Sequence, residues 1–198
     1  MEVQECVLYG SVFRQEEPML RQRLEGLCET SAIPFREQEW AFELRIDEPP
    51  APPVLKVRLR RTLDRSLQCP YQLRYIGAPE PDPQCPVTVR KTIDSLIHTD
   101  NIMFFMRQLG FRLTHQYDVE GVLYTKGRLK VLLIQIIKAA DQPGFPPESC
   151  REPLSKDSVL VELNMPCTPG EDYRQVARTV NEFGDQLKPL VLTEKIDY

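Results

Sequence analysis

The chain has 198 residues, with 25 lysines and arginines against 29 aspartates and glutamates, a net charge of −4, 41% hydrophobic residues, nine glycines and eighteen prolines. This balance fits one sizeable globular core with proline-stiffened loops, and it excludes collagen-like and wholly disordered chains. It offers no global attraction for nucleic acid, so sequence-specific nucleic-acid binding is not expected. The longest apolar run, Val131 to Ile137, is interrupted by Gln135 and falls far short of the ~20 residues that cross a bilayer. The opening residues Met1 to Glu5 hold no cation and lead into no apolar leader core, which points to the cytosol or nucleus. The six scattered cysteines, at least 16 positions apart, have no zinc or redox spacing and read as free thiols.

In chain order, the first strand sets Gln4, Cys6 and Leu8 on one face and Val3, Glu5, Val7 and Tyr9 on the other. Pro18 opens a first helix whose stripe is Leu20, Leu24, Leu27 and Cys28. Trp40, Phe42, Leu44 and Ile46 alternate with Glu39, Ala41, Glu43 and Arg45. Two more strands follow, built on Leu55, Val57 and Leu59 and on Tyr71, Leu73 and Tyr75. The prolines between 49 and 53 and between 79 and 86 mark connections, because proline cannot donate to a ladder. Val87 to Ile97 reads as a further strand. A second helix is capped by Thr99 or Asp100, carries Ile102, Phe105, Met106 and Leu109 on one face, and ends at Gly110. Residues 111 to 139 read as a meander with turns at Gly121 and Gly127. Its last strand, Leu129 to Lys138, is apolar on both faces and belongs mid-sheet. Residues 141–156 read as a mobile proline-rich loop, and Val159 to Met165 resumes the strand pattern. Thr168-Pro169-Gly170-Glu171 has the form of a capping box for a third helix striped by Tyr173, Val176, Ala177, Val180, Phe183 and Leu187. No repeat or linker divides the chain, so residues 1–198 are expected to form a single domain.

Catalytic signals are weak. His98 and His115 stand in no metal-ligand spacing, Gly10-Ser11 lacks the second glycine of a nucleophile elbow, and no glycine loop cradles phosphate. No catalytic, cofactor or metal residue is assigned. The feature above background is a basic strand face, Lys56, Arg58 and Arg60, which Arg74 and Arg90 could join from neighbouring strands and which Lys130 and Lys138 echo later. Facing inward in a closed barrel, it would form a cationic tunnel for a triphosphate-binding or triphosphate-hydrolysing protein. The ordinary arrangement is a solvated outer face. Glu37 and Glu39 read as a surface pair, and clustered carboxylates for Mg²⁺ or Mn²⁺ are missing.

Several stretches, in this order, cover nearly the whole chain: Tyr9-Gly10-Ser11-Val12, Arg23-Leu24-Glu25-Gly26-Leu27-Cys28, Leu73-Arg74-Tyr75-Ile76-Gly77, Gln108-Leu109-Gly110-Phe111-Arg112, Gly121 through Gly127, Val159-Leu160-Val161-Glu162-Leu163, and the closing Gln186 to Val191 with Glu194-Lys195-Ile196-Asp197. With them the chain resembles the family of subunit 18 of the Mediator complex, the coactivator between transcription factors and RNA polymerase II. The resemblance implies an α+β, mainly β fold: a large antiparallel β-barrel related to the triphosphate tunnel enzymes, with about three flanking helices. It also implies a nuclear, non-catalytic scaffold in the head module, paired with Mediator subunit 20, receiving the C-terminal helix of subunit 8 and meeting other head subunits. Met103 and Phe104, off the main stripe of the second helix, are the candidate partner-binding residues. The apolar strand Val131 to Ile137 is a second candidate surface.

Overall fold

Period-two alternation is realised as eight strands, all antiparallel, in a computed structural model that describes residues 2–45, 54–63, 70–99, 101–138 and 152–196. The elements run β1 (Glu2–Phe13), α1 (Glu17–Leu27), β2 (Ile33–Arg45), β3 (Val54–Thr62), β4 (Tyr71–Pro79), β5 (Thr88–Ile97), α2 (Ile102–Gln108), β6 (Arg112–Lys126), β7 (Leu129–Lys138), β8 (Ser158–Pro166) and α3 (Tyr173–Asp185). The strands close into a barrel in the order β1-β5-β4-β3-β2-β6-β7-β8. This is the mainly β barrel with three helices that the sequence led us to expect, and β7 lies mid-sheet between β6 and β8.

Closure sorts every strand into an inner and an outer face. The outer faces carry the apolar clusters that the helices cover. Cys6, Leu8 and Val12 of β1 pack with Val131 and Leu133 of β7 and Val161 and Leu163 of β8 against Leu20 and Leu24 of α1 and Val176, Val180 and Phe183 of α3. On the opposite wall, Trp40, Phe42, Val57 and Leu59 pack under Ile102 and Met106 of α2. The helices therefore coat the barrel rather than fill it.

Several details differ from the sequence reading. Gly121 is no turn but lies inside β6, opposite Phe35 and Ile134. A Cβ there would collide with the Leu133 carbonyl and come within 2.9 Å of the Phe35 ring, so glycine is required by close approach. Only Ile102 and Met106 of α2 are buried, while Phe105 and Leu109 face solvent, because the helix is short and touches the barrel along a narrow line. Its N-cap is Asn101, without a side-chain cap bond; Asp100 lies outside the described residues. The Thr168–Glu171 box forms only in half: Glu171 accepts from the Thr168 amide and hydroxyl at 2.8 Å, while its own amide donates to the Thr168 carbonyl rather than to the hydroxyl. Gly170, at φ +81, turns the chain out of helix there, and the helix starts later, with Asp172 accepting from the Arg174 amide as its N-cap. Ile46, the 49–53 prolines and residues 141–151 of the loop read at 141–156 lie outside the described residues. Pro153 bridges to Ile137, and Leu154 donates to the Ile136 carbonyl at 2.8 Å.

The closing segment docks as a partial extra strand. The β1–β5 ladder stops at Val7, and beyond it Tyr9 and Glu194 exchange both backbone hydrogen bonds, at 3.1 and 2.7 Å. Thr88 Oγ1 donates to the Ile196 carbonyl at 2.9 Å. Leu187 and Val191 are fully buried, whereas Leu192 is largely exposed because its side chain points away from β1. Gly10 makes room for this docking, since a Cβ there would stand 2.7 Å from Val191 Cγ1. A chain ending at Leu187 is expected to lose at least ~2 kcal/mol, from unburying Val191 alone, or ~4 °C or more in a domain of this size. Thermal denaturation followed by circular dichroism measures it, and melting within a degree of the full chain would contradict the docking.

Candidate functional site

The inner face is where the charges are. Ladder register places Val3, Glu5, Val7 and Tyr9 of β1 on the same side as Thr88, Arg90 and Thr92 of β5 and Glu162 and Asn164 of β8. It likewise aligns Glu37, Glu39 and Ala41 of β2 with Thr62, Arg60 and Arg58 of β3, and these with Gln72 and Arg74 of β4. Contacts between strands that are not neighbours prove that this side is inward. Arg74 on β4 reaches Glu5 on β1 at 2.7 Å, across the intervening β5. The basic face Lys56, Arg58 and Arg60 therefore points to the barrel's inner side, with Arg60 half-buried and Lys56 and Arg58 exposed, and Arg74 and Arg90 join it. Glu37 and Glu39 are interior as well, not a surface pair.

The inner charges are matched in groups. Glu5 accepts from Arg74 at 2.7 Å, from Arg90 at 2.8 Å and from the Asn164 amide at 3.0 Å. Burial alone would raise its carboxyl, but the two guanidiniums and Asn164 outweigh this and hold it below the usual carboxylate range. Arg60 binds Glu39 at 2.6 Å and Glu37 at 3.1 Å, and the Tyr117 hydroxyl donates to Glu39 at 2.6 Å. Burial pushes Glu39 up, and Arg60 with the Tyr117 hydrogen bond brings it below its ordinary value. Burial wins at Glu37 and Glu162, whose carboxyls are raised despite Arg60 and Arg90. Glu5, Glu37 and Glu39 are thus each ion-paired with an arginine. Among the described residues no three His, Cys, Asp or Glu side chains gather closely enough to hold a metal ion.

The other predicted residues are dispersed. Phe104 is 66% exposed, as are Phe105 and Leu109 to 54% and 51%, while Met103 is half-buried against the Trp40 cluster. The exposed apolar face of α2 is therefore Phe104, Phe105 and Leu109, and Met103 belongs to the covered side. The strand Val131–Ile137 is unavailable as a surface, being laddered on both edges and covered by helices. His98 and His115 lie on separate elements. Sequence reading missed the parts played by Glu5, Tyr117 and Asn164, although the match in face between Glu5 and Arg90 becomes visible once β1 and β5 are known to pair.

The model of the Med18 protein family matches residues 4–198. The chain belongs to the Med18 family. A Caenorhabditis elegans protein named Mediator of RNA polymerase II transcription subunit 18 is 39% identical over 198 residues, covering 100% of this chain and 84% of that one. In the Schizosaccharomyces pombe Mediator head module, one chain superposes with a TM-score of 0.79 at 14% identity, over 98% of both chains. A Hippeastrum protein described as a putative adenylyl cyclase with a dominant triphosphatase activity shares the fold more distantly, with a TM-score of 0.53, 11% identity, and 100% of this chain and 92% of that one covered. The barrel architecture is thus shared with that protein.

Two substitutions test this electrostatic description of the Med18 barrel. Glu5→Gln strands two inner guanidiniums and is expected to cost on the order of 3 kcal/mol near neutral pH. Because the folded carboxyl is lowered, its stabilisation is complete above the ordinary carboxylate range and is lost as pH falls below it. The gap between parent and variant in denaturant melts should therefore close on acidification, and a gap independent of pH contradicts the pairing. Asp118, fully buried on the outer face, is the converse case: neither oxygen finds a well-formed hydrogen bond, and burial raises its carboxyl, offset only in part by Gln38. Its charged form opposes folding above the ordinary carboxylate range, and that penalty is relieved as pH falls through the raised value. Asp118→Asn is expected to melt higher than the parent at pH 7 and to lose this advantage near pH 4; equal melting at pH 7 contradicts it.

Proposed function

We propose that this chain is a non-catalytic scaffold subunit of the Mediator head module, acting in the nucleus in regulated transcription by RNA polymerase II. The carrying observation is that its likeness to Mediator subunit 18 runs the whole length of the chain. The inner side chains agree with it, because the carboxylates that a metal-dependent triphosphatase needs free are engaged by Arg60, Arg74 and Arg90. On this reading subunit 20 and the C-terminal helix of subunit 8 are its direct partners. Phe104, Phe105 and Leu109 form an apolar strip that suits a helical partner read at i, i+3, i+4 and i+7.

Tagged protein recovered from nuclear extract is expected to bring other head subunits with it, and mass spectrometry identifies them. Co-expression with subunit 20, and with subunit 20 plus the subunit 8 tail, should raise soluble yield and melting temperature stepwise. Phe104→Ser with Phe105→Ser should weaken co-elution without changing the melt of the isolated chain. Purified protein with inorganic triphosphate and Mn²⁺ should release no phosphate, and turnover abolished by Arg58→Ala with Arg60→Ala would overturn the scaffold reading.

A further inference from the structure

We propose that the mouth of the barrel between β3 and β4 binds an extended peptide segment of another protein, one in which carboxylates alternate with apolar side chains. Two exposed cations stand here, Lys56 and Arg58. Arg58 has Ala41 opposite it on β2 and Arg74 opposite it on β4, so the ladder sets two arginines in register, a like-charge pairing that favours a nearby anion. Arg58 and Lys56 are both exposed and make no ion pair with another described residue within 4 Å; Glu43 is the carboxylate opposite Lys56. Arg74 is engaged by Glu5 at 2.7 Å, and its buried Nε, which makes no hydrogen bond, stands 3.9 Å from Asp94.

The backbone supplies the second observation. β3 begins at Val54 and β4 runs to Pro79, yet their ladder ends at the Val57–Tyr75 pair. Leu55 and Lys56 on one side and Ile76 to Ala78 on the other are thus strand residues with no ladder between them. The pairing of β4 with β5 is also irregular between Ile76 and Pro79. A split of this kind offers an edge on which an added strand can form backbone hydrogen bonds.

Side-chain period settles what that strand must carry. Lys56 and Arg58 lie two residues apart on one inner face, about 6.6 Å along β3, the spacing of carboxylates at i and i+2 of an extended peptide. Alternate side chains of the same peptide would project outward beside Leu55 and Tyr75, which pack on the apolar Trp40 cluster. The cavity at this mouth, about 730 Å³, is lined by Ile76, Ala78 and Pro79 as well as by the cations. A polyphosphate would leave those apolar walls uncovered, and an acidic-apolar peptide covers them. This site is separate from the exposed face of α2.

The probe is a fluorescein-labelled octapeptide of alternating glutamate and isoleucine, titrated with the full chain by fluorescence anisotropy. Its control carries the same residues as four glutamates followed by four isoleucines. The alternating peptide should bind at least fivefold tighter than the control. Lys56→Ala with Arg58→Ala should weaken it at least tenfold, while Arg178→Ala on exposed α3 leaves it unchanged. Lys56→Glu with Arg58→Glu should shift preference to a peptide of alternating lysine and isoleucine, a gain that misfolding cannot produce. Equal binding of the two acidic peptides, or displacement by tripolyphosphate at lower concentration than by unlabelled peptide, would overturn the proposal. Binding seen only after Asp47→Ala with Glu48→Ala would also overturn it, by assigning the mouth to the chain's own 46–53 segment. The Lys56→Ala, Arg58→Ala chain should still recover the head subunits that the parent recovers. Their selective loss would make this mouth an assembly contact and overturn the peptide proposal while leaving the assembly reading intact.

Discussion

Glu5 is the constraint on which the barrel interior rests. One carboxylate, almost completely buried, neutralises guanidiniums from β4 and β5 and accepts from an amide of β8, so it ties together four strands counting its own. A charge at this depth is tolerable only with such partners, and the partners in turn have no other carboxylate as close. The Arg60 group with Glu37, Glu39 and Tyr117 repeats the arrangement on the other wall.

A charged interior reverses the usual disposition of a small domain. Apolar surface must be covered on the outside, and three separate coats do this: α1 with α3, α2, and the docked closing segment. The coats are uneven. α3 lays five residues of its stripe on the barrel, whereas α2 buries Ile102 and Met106 and leaves two phenylalanines in water. Exposed aromatic side chains on a thin coat are the kind of surface that a partner subunit completes, and this is why assembly and fold are connected in the proposed role.

The barrel shares its architecture with a protein described as having a dominant triphosphatase activity, and in this chain the inner charges are arranged in arginine–carboxylate groups. A catalytic tunnel needs carboxylates free for metal and cations free for phosphate. Here Glu5, Glu37 and Glu39 are held by arginines, while Lys56 and Arg58, which make no ion pair with another described residue within 4 Å, stand at the mouth.

Sequence alone determined the strands, because period-two alternation is a local property: Trp40 to Leu44, Leu55 to Leu59 and Tyr71 to Tyr75 all appear as read. It also determined the family, since the ordered stretches from Tyr9 to Ile196 are specific together. Alternation defines two faces but not which of them is inside, and so the side taken by the basic face stays open in the sequence and the Glu37–Glu39 pair, read as surface, is turned the wrong way. Only closure of the barrel decides that, by bringing Arg74 to Glu5 over 69 positions of sequence and Arg90 to the same carboxylate over 85. Gly121 was open to misreading for the same reason: a glycine that makes a turn and one that admits a neighbouring ring are alike in sequence, and the Phe35 ring that distinguishes them arrives from another strand. The capping box misled in a more local way, because Glu171 does reach back to the Thr168 amide, yet Gly170 at positive φ detaches that bond from the helix it was expected to start. Which side of α2 stays exposed depended on how closely a seven-residue helix can approach a curved wall, and tertiary packing alone sets that distance.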